Sequence, residues 1–416
     1  MSALTSSETL DGVSAPKFES DARSFFWFAA KGGLLEIVTV GFYRFWLLTG
    51  IRRRIWSATS LEGDALEYTG RPLEILIGYL IALAILAPLF LASFLVGLLA
   101  ETAGFPDDLA WAAAWAAGAA SFGFIYLLLQ YASYRARRYR VSRTVWRGVR
   151  FWMKPAGWRY AFLSVGLMIV VILTLGLAHP WRAAALERFK WRRTFYGDLP
   201  ARFEATGWAF FKAGVGLWVL ATLAVLLPIG LLADAAATRN ESLLPFAFLV
   251  AALAVPVLFW VWAVFQALEW RWFMNGLRIG GAGFACTLKG WRVVRIYLGY
   301  VGVALAISLA SSIAGVAIHA AIASPPSPTA KGAGDAVWIA SSAASALAYL
   351  AVLALIGAAH RTYLVHQFWR AVVDSTSVAN AETLRLARRA GQASDAIGEG
   401  MLDTGLLDGF DLGAGF

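Results

Sequence analysis

Residues 73–99 read LEILIGYLIALAILAPLFLASFLVGLL, and Glu74 is the only charge among them. A bilayer-crossing helix needs about 20 mainly apolar residues, so this stretch makes hydrocarbon, not water, the solvent of the fold. Segments 109–130, 208–233, 243–268, 295–323 and 337–359 have the same character. Composition agrees: 59% of residues are hydrophobic, 15% are charged and mean hydropathy is +0.64. A large soluble domain carries about 25% charged residues, so this chain has too little polar surface to be one. The expected fold class is all-α: a polytopic transmembrane helical bundle with a tandem internal repeat and re-entrant or interfacial helices.

Charge sets the expected orientation. The net charge is +10, and residues 131–159 hold Arg135, Arg137, Arg138, Arg140, Arg143, Arg147, Arg150, Lys154 and Arg159 with no acidic residue. Alone, that run would suggest nucleic-acid binding. Between two lipid-length segments it reads instead as a cytoplasmic loop touching anionic headgroups. The other basic stretches (Arg52–Arg54, 182–202, 269–295, Arg361 and Arg370) fall on the same side, whereas 100–108 is acidic and 234–242 and 324–336 are nearly neutral. The six clear segments then make three in–out–in hairpins of an inner-membrane protein, with both termini cytoplasmic.

Two further segments, 33–50 and 159–178, are apolar but interrupted. If 159–178 crossed fully, one of its basic flanks would lie outside, so a kinked re-entrant element fits better. Gly176 and Pro180 supply the break. Two full extra spans are the alternative. The single cysteine, Cys286, excludes an intrachain disulfide and a cysteine cluster. The N-terminus lacks a basic-then-apolar leader and reads as a polar, disordered arm. The expected organisation is arm 1–30, membrane repeat 31–130, basic connector 131–158, second repeat 159–268, C-terminal hairpin with juxtamembrane segment 269–370, and cytoplasmic tail 371–416.

The repeat is read at an offset of 135. Thr39-Val40-Gly41 through Trp46, then Trp56 and Thr59, matches Thr174-Leu175-Gly176 through Trp181, then Trp191 and Thr194. A shorter pattern of basic and aromatic residues, then Thr or Asn, then Gly, precedes several spans. Its copies start at Arg54-Ile55-Trp56, Arg138-Tyr139-Arg140, Lys190-Trp191-Arg192 and Arg271-Trp272-Phe273, with a degenerate fifth at Phe368-Trp369-Arg370. Each reads as an amphipathic segment in the cytoplasmic interface, where Trp and Tyr prefer headgroup depth and Arg reaches phosphates. The expected lipid contacts are Arg53, Arg54, Trp56, Arg138, Tyr139, Trp146, Trp191, Arg192, Arg271 and Trp272. A plain anchoring collar explains the pattern as readily as a vestibule or a specific lipid site.

The stretch Val38-Thr39-Val40-Gly41-Phe42-Tyr43-Arg44-Phe45-Trp46, with Arg52-Arg53-Arg54-Ile55-Trp56, Gly63-Asp64 and Glu67-Tyr68-Thr69-Gly70, resembles the YjgN-like family of bacterial inner-membrane proteins. The resemblance implies a multi-pass bacterial membrane protein. It implies no reaction, substrate or cofactor.

Ionisable residues at membrane depth are costly and hence functional candidates. Lys212 sits near a cytoplasmic end and is expected to snorkel; His319 is expected to hydrogen-bond a neighbouring helix. The candidate polar cavity comprises Glu36, Thr39, Arg44, Thr174 and His179, with Glu36 and Arg44 two turns apart on nearly one helix face; if that element lies at the surface, both charges are simply solvated. No HExxH, GxSxG or GxxxxGK[ST] is present, so no enzyme chemistry, metal or cofactor is expected. After Asn380 the chain reads as an amphipathic helix followed by a tail carrying Asp395, Asp403, Asp408 and Asp411.

Two functions remain open from the sequence. A permease-like protein should enclose a polar cavity at its interrupted helices. A non-transporting scaffold or lipid-interacting protein should be dry between helices, with membrane lipids as its partners and its chemistry at the cytoplasmic surface.

Overall fold

The computed structural model describes residues 12–102, 107–322 and 333–391. Helices come in sequential pairs: α1 (Ala22–Val38) with α2 (Arg44–Ala58), α3 (Pro72–Thr102) with α4 (Asp107–Ser142), and α5 (Gly157–Leu173) with α6 (His179–Trp191). There follow α7 (Gly207–Thr238) with α8 (Leu244–Gly276), and α9 (Gly290–Ile322) with α10 (Ala333–His360). A π-helical segment, Arg361–Gln367, leads from α10 into α11 (Phe368–Asp374). Among the described residues six helices are long and apolar enough to cross a membrane, and they overlap the six clear segments of the sequence.

The two interrupted segments are helix–turn–helix elements. The Thr39 hydroxyl donates to the Leu35 carbonyl at 2.7 Å and accepts the Tyr43 N–H at 2.9 Å. Val40 and Gly41 then take φ of 52° and 88°. Thr174 does the same with Val170 (2.8 Å) and Ala178 (3.1 Å), followed by Leu175 and Gly176 at φ of 52° and 92°. A β-branched residue in the left-handed region costs roughly 1–2 kcal/mol, and local bonds offset it: the Gly41 N–H donates to the Glu36 carbonyl at 2.7 Å and the Phe42 N–H to the Thr39 carbonyl at 3.1 Å. Pro180 lies in the first turn of α6 and does not make the break. At 1.5 Å per residue, α1 and α5 are each roughly 25 Å long, short of a full hydrocarbon core of about 30 Å.

The all-α expectation is corrected by the segments between helix pairs. Each folds as a hairpin: β3 (Thr59–Leu61) with β4 (Asp64–Tyr68), β5 (Thr144–Trp146) with β6 (Val149–Met153), β7 (Thr194–Tyr196) with β8 (Leu199–Phe203), and β9 (Leu277–Ile279) with β10 (Ala282–Cys286). β11 (Thr376–Ala379) follows α11, and β1 (Val13–Ser14) and β2 (Lys17–Phe18) precede α1. All join one antiparallel sheet in the order β1-β11-β10-β9-β8-β7-β6-β5-β4-β3-β2. Its outer strands, β1 and β2, are consecutive in the chain and linked only by Ala15 and Pro16. The sheet therefore curls into a ring closed by the backbone itself. Closure removes the free edges that invite aggregation, and Pro16, with no N–H to leave unpaired, suits the junction. The arm expected to be disordered is thus structured from residue 12 onward; residues 1–11 lie outside the described residues.

Local chemistry explains four of the five helix-to-strand switches, all but the one at Leu277. Thr59, Thr144, Thr194 and Thr376 donate their hydroxyls to the carbonyl four residues back, those of Ile55 (2.8 Å), Arg140 (3.0 Å), Lys190 (3.1 Å) and Val372 (2.7 Å). Each satisfies one of the carbonyls a helix end leaves open, and the β-branched residue then starts the strand. The tips match two-residue hairpin turns. Both central residues have positive φ in Glu62-Gly63 and Arg147-Gly148, and the first alone in Gly197-Asp198 and Gly280-Gly281, the patterns whose twist suits a hairpin.

The helix ends entering the ring pack side by side. Trp56 stacks on Trp369 at 6.4 Å, Trp369 meets Trp270 at 6.4 Å, and Phe273 meets Trp191 at 6.0 Å. Arg137 lies over the Trp191 ring at 4.9 Å, and the Trp56 indole donates to Thr144 at 3.1 Å. That circuit returns to its start and forms the floor on which the ring stands.

Candidate functional site: an apolar chamber inside the hairpin ring

The hairpin ring encloses a cavity of about 190 Å³ whose lining exposes almost no polar surface. Its walls follow from position. Three residues before each strand-starting position stand Trp56, Val141, Trp191, Met274 and Val373; two residues after it stand Leu61, Trp146, Tyr196, Ile279 and Val378. Leu66, Phe151 and Phe284 add a further layer from the second strands. The threonines that line the chamber spend their hydroxyls on helix carbonyls. Trp369 donates its indole N–H to Thr59 at 2.9 Å, and Trp146 to the Asp64 carbonyl at 3.1 Å.

The walls stay neutral. Burial raises the Tyr196 phenol, whose hydroxyl donates to the Trp146 carbonyl at 3.0 Å. An empty apolar void costs about 24 cal/mol per Å³ in a relaxed core, so leaving this chamber vacant would cost about 4–5 kcal/mol. A dry cavity of about 150 Å³ is enough to bind benzene. The chamber is thus sized for an apolar group slightly larger than that.

Residues 381–391 cross the hairpin tips. The expected amphipathic helix after Asn380 is instead a short 3-10 segment, Ala381–Leu386, followed by extended chain. Leu384 is buried and faces the chamber. Arg385 pairs with Glu62 at 2.9 Å, and the Arg388 N–H donates to Asp198 at 2.8 Å. Gly197 passes so close that a Cβ there would stand 2.2 Å from the Arg388 carbonyl oxygen. Asp395, Asp403, Asp408 and Asp411 lie outside the described residues, as do 323–332 of the loop before α10.

The candidate polar cavity is only partly assembled. Glu36 and Arg44 do not share a helix face, because the Thr39–Gly41 break puts them on α1 and α2. The Glu36 carboxylate pairs at 2.7 Å with Arg361, at the start of the π-helical segment. The two border a cleft of about 350 Å³ between α1 and α10, with Gly33, Gly41 and Gly357 in its wall. Thr39 and Thr174 serve the helix breaks, and half-buried His179 lies against Phe210 at 6.3 Å. Lys212 sits over the Trp208 ring at 5.2 Å.

The expected collar separates into two populations. Trp56, Tyr139, Trp146, Trp191 and Trp272 are at most 8% exposed, so these aromatics are packed inside the fold and present no exposed collar. The reason is the hairpin, which turns the pattern inward where an interfacial helix would have laid it flat. Arg53, Arg54, Arg192 and Arg271 are exposed and Arg138 is half-buried. Arg138 holds the Met153 carbonyl at 3.0 Å, and Arg54 stacks on Phe28 at 4.0 Å. Exposed tryptophans recur instead at Trp158, Trp208 and Trp291, at 49%, 52% and 59% exposure. Each follows the first glycine of α5, α7 or α9, and that recurring Gly-Trp pair was readable in the sequence.

A family model for bacterial proteins of unknown function, DUF898, matches residues 14–404. No curated protein and no solved structure matches the chain.

Proposed function

Because the chain belongs to the DUF898 family of bacterial proteins of unknown function, its role has to be read from its own site, and we propose that it is a membrane-resident binding protein for an apolar molecule. The hairpin-ring chamber takes that molecule, or the hydrocarbon end of a larger amphiphile. The observation that carries this reading is a neutral, apolar space of about 190 Å³, walled by side chains from five successive chain segments and crossed by the residues 381–391. In a core with no ligand, larger side chains would fill such a space. Its lining holds no carboxylate, histidine or cation, which supports a binding role.

The surroundings are consistent with a bacterial inner-membrane protein whose ring faces the cytoplasm. Exposed arginines and the Trp158–Trp208–Trp291 belt suit an anionic headgroup layer, with both termini on that side. The α1–α2 and α5–α6 elements are then re-entrant, and their exposed apolar tips, Val40 at 88% and Leu175 at 86%, lie in hydrocarbon. Matching bounds of α1 and α5, α3 and α7, and the intervening strands at an offset of 135 favour an internal duplication. The motifs through Gly70 favour kinship with the YjgN-like proteins.

Filling the chamber tests the proposal. Leu66→Trp and Val141→Phe should abolish co-purification of apolar small molecules, detected by native mass spectrometry, while leaving thermal stability at or above that of the unchanged protein. Wild-type protein that carries no apolar ligand and takes up none on incubation with medium-chain fatty acids would end this reading.

A second reading, a permease, is favoured by the Glu36–Arg361 pair in its cleft, since charges at membrane depth and π-helical segments both accompany function. Glu36→Gln keeps the side-chain shape and should abolish accumulation of any cell-extract solute that proteoliposomes of the unchanged protein take up. Accumulation equal to the unchanged protein's removes the cleft from consideration.

A further inference from the structure

Outside the chamber, α6 and β8 border a cleft of about 380 Å³ lined by Arg188, Arg192, Arg202, Phe203 and Glu204. The geometry points to a phosphate-binding site there, formed by the three guanidinium groups. Glu204, the one acid in the wall, is already paired with Arg278 at 3.4 Å. Arg188 makes a single long bond, to the Ala205 carbonyl at 3.3 Å. Arg192 and Arg202 are exposed, and among the described residues neither guanidinium has a hydrogen bond or an ion pair. Three cations around one small space repel each other, and a group with several anionic oxygens relieves that repulsion while accepting paired N–H bonds from each fork.

The molecule supplies its own control. The α2–β4 segment is built like α6–β8, 135 residues earlier, and its Arg53 donates to the Gly70 carbonyl at 2.9 Å. Arg53 stands where Arg188 stands, so that arginine has an architectural task in both places: holding the chain at the start of the next helix. The places of Arg192 and Arg202 are taken there by Ser57 and Glu67. The same local fold is thus made without the two extra arginines, which no structural contact explains. A ligand explains them. Its shared chemistry is a phosphate group, supplied either by an anionic lipid headgroup at the membrane surface or by a soluble phosphorylated molecule.

The test uses the full chain in neutral detergent, with R192Q/R202Q as the variant and R159Q/K289Q as a control of equal charge loss, at two exposed cations outside the cleft. Native mass spectrometry reads retention of phosphatidic acid against phosphatidylcholine, with and without excess inorganic phosphate. The unchanged protein should retain phosphatidic acid at least tenfold over phosphatidylcholine, and R192Q/R202Q should lose that preference while the control keeps it. Displacement by inorganic phosphate assigns the site to free phosphate, and retention in its presence assigns it to the headgroup; both support the site. Equal loss in the control means diffuse attraction, and no preference in the unchanged protein, with no phosphate binding by calorimetry, means no site; either overturns the inference. Neither outcome bears on the chamber, whose ligand is read separately.

Discussion

Glu187→Gln should destabilise the protein by about 3–5 kcal/mol, the range measured when one partner of a buried ion pair is removed. Glu187 lies on α6 between two buried cations. Arg137 of α4 is 3.5 Å away with its side chain 1% exposed, and Lys190, one turn along α6, is 2.5 Å away and 3% exposed. Losing the carboxylate charge leaves both cations buried without that counter-charge. Arg137→Met removes one cation, keeps the Glu187–Lys190 pair, and fills much of the same volume, so its cost should be clearly smaller. The ordering is the test. Unfolding midpoints in a denaturant series should place Glu187→Gln below Arg137→Met, with the unchanged protein above both. If Arg137→Met is the more damaging, the α4–α6 contact is held by the stacking of Arg137 on Trp191 and not by the shared carboxylate. This junction matters because α4 and α6 are neighbours in the floor beneath the chamber, and a floor that opens there loses the wall position of Trp191.

The prediction also shows where sequence reading succeeds and where it stops. The long spans were legible because their signal is local and redundant: about 20 apolar residues in a row admit few other solvents. The breaks at Thr39–Gly41 and Thr174–Gly176 were legible for a similar reason, since threonine and glycine act on their immediate neighbours. The hairpins carry a weaker local signal. Their strands hold only three to five residues, and a basic–aromatic–threonine pattern has the composition of an interfacial helix. The discriminating signal was the pair of turn residues, such as Glu62-Gly63 and Gly280-Gly281, set between β-branched and aromatic residues. The Glu36–Arg361 pairing had no such local sign, because its partners are 325 residues apart. Nor could the chamber be seen, since no single segment makes it. Each hairpin contributes two or three apolar side chains that look, one segment at a time, like ordinary core.

Deleting residues 381–416 should expose the chamber, and the effect should be at least tenfold in rate. In a Cys286→Ser background, a cysteine placed at Ile279 reports on the wall. Ile279 is 5% exposed, lines the chamber and adjoins the Gly280–Gly281 tip, which lies against Thr383. Its modification by a thiol reagent should be slow in the otherwise intact chain, because reaction requires residues 381–391 to lift. The contacts to be broken are the burial of Leu384, the Glu62–Arg385 pair and the Asp198–Arg388 bond. Burying a leucine contributes about 1.5–3 kcal/mol, whereas the exposed pair contributes at most about 1 kcal/mol. Leu384 therefore dominates, and Leu384→Asp should approach the deletion in effect while added salt changes the rate little. Gly197→Ala should act from the other side. Its φ of 56° already disfavours a side chain, and the new methyl would stand against the Arg388 carbonyl, so the crossing segment must shift. Each 1.4 kcal/mol lost from closure multiplies the open population tenfold. A modification rate unchanged by the deletion would mean that the chamber is sealed by the hairpin ring alone, and that residues 381–391 rest on its tips without controlling what enters.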